Sequence, residues 1–256
     1  MATAATAVTV AELGVGRKRV EGCEPVAETT VRERINYVLG HAVIHRDIGV
    51  IVGPPGLGKT QTTRAYCADF SAVMVTALGG RGWPKRVLQD ILSQLAQSTQ
   101  GSQSDLYDRL AATLGSDDRL VVIDEAQHLQ TDSLEMLRQL HDQAPFPMVL
   151  VGNPDIAARL QTRKAAFAQI WSRVGVRCDL STAATAAHLE ADVAAVAEAW
   201  GFGDERALAL LWRLARQGGW LRTVARVCRV ARDFAGGATP SFAHLEAAAR
   251  TFELGG

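Results

Sequence analysis

The chain reads as an α/β protein: a mostly parallel five-stranded sheet flanked by helices, then a small all-helical domain. Three observations carry that expectation. A glycine-rich stretch, Gly53-Pro54-Pro55-Gly56-Leu57-Gly58-Lys59-Thr60, stands between an apolar strand and a helix. Short apolar runs alternate with amphipathic helical stretches up to about residue 184, the pattern of parallel strands joined by helical crossovers. From residue 185 onward the sequence is alanine-rich, helical in period, and without strand signal.

Taken in order, residues 1–28 read as a loosely structured arm whose one charge cluster is Arg17-Lys18-Arg19, a solvated surface or a phosphate-contacting tail. Val31, Ile35 and Leu39 have helical spacing. Thr29 or Thr30 caps that helix, and Glu33 stands where a capping-box partner of Thr30 would. Ile48-Gly49-Val50-Ile51-Val52 is the first strand, and residues 61–69 form the helix after the glycine-rich loop. Ala72-Val73-Met74-Val75-Thr76 is the second strand. Pro84 opens a helix through Ala96, and another runs over 104–114. Leu120-Val121-Val122-Ile123, Met148-Val149-Leu150-Val151 and residues 175–180 supply the remaining strands, with a helix over 132–143. Four helices follow at about 186–200, 203–217, 219–234 and 240–253, broken at Gly201, Gly218-Gly219 and Gly236-Gly237. The division expected is an arm (1–28), an α/β domain (29–184) and a helical domain (185–256).

Composition narrows the class. Net charge is zero, so any nucleic-acid site must be a local patch. Lysine occurs only at 18, 59, 85 and 164, leaving arginine as the main cation, the residue better suited to bidentate phosphate contacts. Cys23, Cys67, Cys178 and Cys228 form no C-x-x-C pair, which argues against zinc or a disulfide framework. No apolar run approaches the ~20 residues of a membrane span. The residues before Val10 make a poor signal peptide, so the expected location is cytoplasmic.

The glycine-rich stretch matches G-x-x-x-x-G-K-[ST] in full. Such a loop turns backbone N–H groups toward phosphates, its lysine reaches the β- and γ-phosphates, and its hydroxyl ligates Mg²⁺. Residues 53–60 with Gln61 are therefore the expected nucleotide cradle, with Lys59 and Thr60 in those two roles. Leu120-Val121-Val122-Ile123-Asp124-Glu125 delivers two carboxylates at a strand's C-terminal end, where ligands bind in open parallel sheets. Asp124 is the expected Mg²⁺ residue and Glu125 the residue that polarises the attacking water.

These motifs, with a polar residue ending the next strand and arginines beyond it, resemble the AAA+ ATPases over about residues 30–253. Within that family Asp124-Glu125-Ala126-Gln127-His128-Leu129, Val151-Gly152-Asn153-Pro154 and the 167–175 segment ending Ser172-Arg173-Val174-Gly175 look like the MuB and TnsC group. The resemblance implies an oligomerising ATPase that uses ATP and Mg²⁺, binds double-stranded DNA as filaments, and marks target DNA for a transposase. Hydrolysis would drive disassembly, and an adaptor protein could recruit it. Asn153 matches the sensor 1 position, or serves as a helix cap. Arg173 matches the arginine finger offered to a neighbouring subunit, with Arg159 and Arg163 as rivals and surface ion pairing as the plain alternative. Arg222, in Gly219-Trp220-Leu221-Arg222, matches sensor 2, or is a surface arginine; Trp220 reads as lid core.

For DNA, the best local candidate is the 81–86 segment, with Arg81, Trp83, Lys85 and Arg86 on a glycine-flexed loop and helix start. The alternative is a solvated helix start with Trp83 packed beneath. Another AAA+ regulator, such as a helicase loader or secretion ATPase, is the competing enzymatic reading. A nucleotide-switch scaffold acting only through protein partners is the competing reading from another class.

Overall fold

The structure, a computed structural model, describes residues 25–80, 82–161, 169–183, 186–236 and 238–253. The Arg17-Lys18-Arg19 cluster lies outside the described residues, as do Arg81, Arg163 and Phe167. One sheet holds β1 (Ile48–Val52), β2 (Val73–Thr76), β3 (Val121–Asp124), β4 (Met148–Gly152) and β5 (Val174–Asp179). Its order is β2-β3-β4-β1-β5, and each pairing is parallel. β1 and β4, far apart in sequence, lie side by side, with Val52 level with Gly152 and Asp179. Thr76 is level with Asp124, so the strands end along one edge.

The linking helices are α1 (Thr30–His45), α2 (Lys59–Asp69), α3 (Pro84–Gln94), α4 (Gln103–Gly115), α5 (Thr131–Gln143) and α6 (Pro154–Leu160). Side chains alternate across each strand and sort the two faces. Val50, Val121, Ile123 and Leu150 pack with Leu88 and Ile91 of α3, Leu106 and Leu110 of α4, and Leu137 and Leu140 of α5. Ile51, Val122, Val149 and Val151 pack with Ile35, Val38 and Leu39 of α1, with Leu57, and with Cys67 of α2. Both faces are covered, which explains why these strands read as unbroken apolar runs.

The expected strands and long helices stand within a few residues of their sequence positions. Helix α6 showed in the sequence only through the reading of Asn153 as a cap before Pro154, because seven residues carry too little periodicity to register. The start of α1 differs from expectation in a more instructive way. Thr29 is the N-cap, its hydroxyl accepting from the Arg32 N–H at 3.1 Å. Glu33 therefore sits one place too far along for a capping box, and Thr30 bonds elsewhere. Asp192 receives the Thr30 N–H at 2.7 Å, the Thr30 hydroxyl at 2.9 Å and the Val31 N–H at 3.3 Å.

Asp192 belongs to the first of the C-terminal helices, α7 (Ala186–Ala199), which is followed by α8 (Glu205–Gln217), α9 (Trp220–Phe234) and α10 (Phe242–Glu253). These pack around Phe202, Leu211, Val224, Val227, Cys228 and Leu245. Burial pushes the Cys67 thiol up to about 11 and the Cys228 thiol up to about 12, which suits packing residues without thiolate chemistry.

Candidate active site

The loop from β1 to α2 lies at the C-terminal edge of the sheet. Leu57 is fully buried and anchors it among the α1-side residues. Lys59 opens α2 and bends back, its Nζ donating to the carbonyls of Gly53 at 2.8 Å and Pro54 at 2.9 Å. Desolvation lowers the Lys59 pKa; Glu125 and Asp124 act in the opposite direction, and Arg222 adds to the lowering. These four charges therefore converge on one place, although they come from positions 59, 124, 125 and 222.

β3 delivers Asp124 to the same edge. The Thr60 hydroxyl donates to Asp124 Oδ2 at 2.8 Å, and the Glu125 N–H donates to Oδ1 at 2.9 Å. Desolvation raises the Asp124 pKa despite these two bonds, because the carboxyl is only 2 % exposed. A hydroxyl beside a buried carboxylate is a hard, oxygen-only donor pair of the kind Mg²⁺ takes. Glu125 follows in left-handed backbone, φ 54°, and is exposed. A bulky residue at positive φ is strained, and such strain clusters at functional sites.

Sequence reasoning did not single out Gln127. It stands in the 3-10 turn Ala126–His128, and its Nε2 donates to Glu125 Oε2 at 2.5 Å. Its Oε1 accepts the Asn153 N–H at 3.2 Å. The Asn153 side chain caps α6, accepting from the Asp155 N–H at 3.0 Å and donating to its carboxylate at 2.9 Å. The expected cap is therefore formed, on the same edge as Asp124. Arg159 donates to the carbonyls of Gln127 at 2.8 Å and Leu129 at 2.9 Å, tying α6 to the turn within one chain.

The helical segment closes over the loop. α9 begins beside Gly56, and the Arg222 N–H donates to the Gly56 carbonyl at 3.0 Å. Trp220 is partly buried against the residues that hold Leu57. Arg222 itself is exposed and close enough to shift Lys59.

Arg173 stands at the other end of the sheet. It precedes β5, whose Val174 is level with Ile48 at the start of β1. The length of a five-residue strand, about 15 Å, separates it from the level of its own glycine-rich loop. Its guanidinium pairs with Asp142, Nη2 to Oδ2 at 2.8 Å, and holds that carboxyl below the usual range. Arg138 joins the same carboxylate at 2.5 Å and also pairs with Glu135.

Of the DNA candidates, Trp83 is 58 % exposed, so it is not packed beneath the helix start as one reading had it. Lys85 and Arg86 are exposed, and Arg86 pairs with Asp90 at 2.8 Å. The loop before them is seated on the turn after Glu125. The Gly82 carbonyl accepts the Gln130 N–H at 3.0 Å and the Ser133 hydroxyl at 2.5 Å. A Cβ on Gly82 would stand 2.1 Å from the His128 carbonyl oxygen, so only glycine fits that seat. No group of three metal-ligating side chains occurs among the described residues.

Residues 43–160 match the family described as AAA domain, and residues 172–252 match Mu B transposition protein, C terminal. The Mu-like prophage FluMu DNA transposition protein B of Haemophilus influenzae is 30% identical over 210 residues, 79% of this chain and 71% of that protein. The ATP-dependent target DNA activator B of Escherichia phage Mu is 30% identical over 208 residues, 80% of this chain and 65% of that one. The chain thus spans somewhat less than two thirds of the phage Mu protein. Among solved structures, the Aeropyrum pernix ORC2 protein in its ADPNP-ADP complexes superposes with TM-score 0.65 at 18% identity, over 91% of this chain and 70% of that one. That likeness concerns the fold alone.

Proposed function

The chain belongs to the Mu transposition protein B family, and on that premise we propose that it is an ATP-dependent, oligomerising DNA-binding ATPase that marks target DNA for a transposase. The observation that carries the ATPase part of the reading is the 2.8 Å bond between Thr60 and Asp124, and the likeness to ATP-dependent target DNA activators supports the DNA part. It sets the P-loop hydroxyl against the buried carboxylate of β3, with Glu125 next in the chain. Mg²⁺ held by Thr60 and Asp124 would neutralise phosphate charge when bound. Lys59 exchanges the Gly53 and Pro54 carbonyls for phosphate oxygens. Glu125 takes up the proton of the attacking water, and Asn153 orients that water or the γ-phosphate from the end of β4. Arg222 reaches the phosphates from α9.

Arg173 lies too far from its own P-loop to take part in cis, so it serves the site of a neighbouring copy as a finger supplied in trans. Hydrolysis then requires assembly, and it drives release from DNA. Both candidate guanidinia are engaged within the chain, Arg159 with the Gln127 and Leu129 carbonyls and Arg173 with Asp142, so Arg173 would have to leave Asp142 to act as the finger. Double-stranded DNA, a transposase and further copies of the chain are the proposed partners, with an adaptor protein as a possible recruiter. No helix among the described residues is long and apolar enough to cross a membrane, and the cytoplasm is the proposed location.

Negative-stain microscopy of the protein with duplex DNA, with and without a slowly hydrolysed ATP analogue, tests the reading. Filaments on DNA that need the nucleotide support it. Discrete particles indifferent to DNA overturn it in favour of a switch directed at protein partners.

A further inference from the structure

We propose that Gln127 is a positioning residue that aims Glu125 and locks it to the nucleotide-sensing end of β4. The inference rests on the reading of Glu125 as the group that activates water, and it extends that reading to a residue with no role so far. Gln127 occupies both ends of its amide. Its Oε1 accepts the Asn153 N–H at 3.2 Å, and its Nε2 donates to Glu125 Oε2 at 2.5 Å. The first bond decides the second: with the oxygen committed to a backbone donor, the amide nitrogen must face the carboxylate.

The amide has little room to turn. A Cβ added to Gly152 would stand 2.6 Å from Gln127 Oε1, so the side chain lies close against the end of β4. Its backbone is pinned from the other side by Arg159, which bonds the Gln127 carbonyl at 2.8 Å. Ala126, between Glu125 and Gln127, is fully buried and anchors the turn.

Glu125 needs such a partner. It is exposed, and it sits at φ 54° on a three-residue turn, where no helix or strand fixes its rotamer. A long carboxylate left free samples many orientations, and only those within reach of the water are productive. The amide holds one carboxylate oxygen and leaves the other for the proton of water. Because the same amide bonds Asn153, any displacement of β4's end by the γ-phosphate is passed to Glu125 through one side chain.

Steady-state ATP hydrolysis of the full chain with duplex DNA tests this, with binding of a fluorescent, slowly hydrolysed ATP analogue measured alongside. Gln127→Ala is expected to lower kcat by about 10- to 100-fold, a part of the ~10²- to 10⁴-fold that a general base contributes, with KM and analogue affinity held within about twofold. Gln127→Glu keeps the acceptor for Asn153 but sets a second carboxylate against Glu125. Its kcat is expected to fall at least as far as that of Gln127→Ala, since an ionised carboxylate has no N–H to donate to Glu125 and repels it. A kcat for Gln127→Ala within about twofold of the unaltered protein overturns the proposal, as does a parallel loss of kcat and analogue binding. Glu125→Gln separates the two levels. If it abolishes hydrolysis, the ATPase reading stands and the Gln127 result is judged by itself. If the unaltered chain shows no Glu125-dependent hydrolysis, the reading falls and the proposal falls with it.

Discussion

The N–H of Arg222 donates to the carbonyl of Gly56 at 3.0 Å, joining the first turn of α9 to the middle of the P-loop. Backbone meets backbone here: a Cβ on Gly56 would stand 2.2 Å from the Gly219 carbonyl oxygen. Gly56 also has φ 93°, so the position excludes a side chain on two counts. Gly56→Ala is expected to cost about 1–2 kcal/mol from backbone handedness alone. That corresponds to a melting point lower by about 2–8 °C. With α9 pushed off the loop, affinity for an ATP analogue should fall by at least ~10-fold, or about 1.4 kcal/mol. Thermal melts with and without analogue check both, and an unchanged affinity would show that the α9 contact is not part of the site.

Asp124 is buried, with its pKa raised by desolvation. Between the unfolded value and the raised folded one, the native state binds the extra proton. Stability is therefore lost as pH rises through that window, and at neutral pH the ionised carboxylate is a cost. Asp124→Asn should raise the melting temperature at pH 7 while abolishing Mg²⁺-dependent hydrolysis. The difference in melting temperature should shrink as pH is lowered. A variant less stable than the unaltered chain at pH 7 would contradict the desolvation argument.

Asp192 is 2 % exposed and receives two backbone N–H groups and a hydroxyl at the start of α1. Removing it leaves the buried Val31 N–H and the two part-buried Thr30 donors without that acceptor. Asp192→Ala should cost about 2–3 kcal/mol, combining a lost cap with lost charge-assisted bonds. The expected fall in melting temperature is about 4–12 °C. Calorimetry checks it, with Asp192→Asn expected to recover part of the loss.

Arg173 and Lys59 should complement one another across subunits. Arg173→Ala is expected to bind the ATP analogue normally and hydrolyse at least ~10³-fold more slowly. Lys59→Ala should lose binding. Mixed together, the two variants form some interfaces with an intact P-loop and an intact Arg173, so hydrolysis should reappear. Mixtures as inactive as either variant alone would rule out a finger acting in trans.

Lys85 is an exposed cation beside exposed Trp83, whereas Arg86 is already paired with Asp90. Lys85→Ala should weaken duplex binding equally on unrelated sequences and reduce the slope of log K against log salt by about 0.9. Arg86→Ala should have the smaller effect. Titrations at several salt concentrations check this; an unchanged slope for Lys85→Ala would remove the segment from the interface.

What the sequence determined by itself was whatever local pattern encodes. The P-loop, the apolar strand ending in Asp124-Glu125 and the helical periods around them are contiguous signals, and contiguous signals survive in one dimension. Seven-residue α6 was too short to show by periodicity and was signalled only by its cap Asn153, and Thr30 resembled a cap until Asp192, 162 residues away, took its hydroxyl. Tertiary structure alone decided which side chains meet. Parallel pairing of β1, β3 and β4 brings positions 53–60, 124–125 and 153 to one edge, and α9 adds Arg222 from above. Gln127 carried no signal of its own, because a glutamine in a loop is ordinary until its amide is found between Glu125 and Asn153. Gly82 looked like loop flexibility, and the fold shows it as a close contact with the His128 backbone. Such relationships depend on distances across the sheet, which no spacing along the chain records.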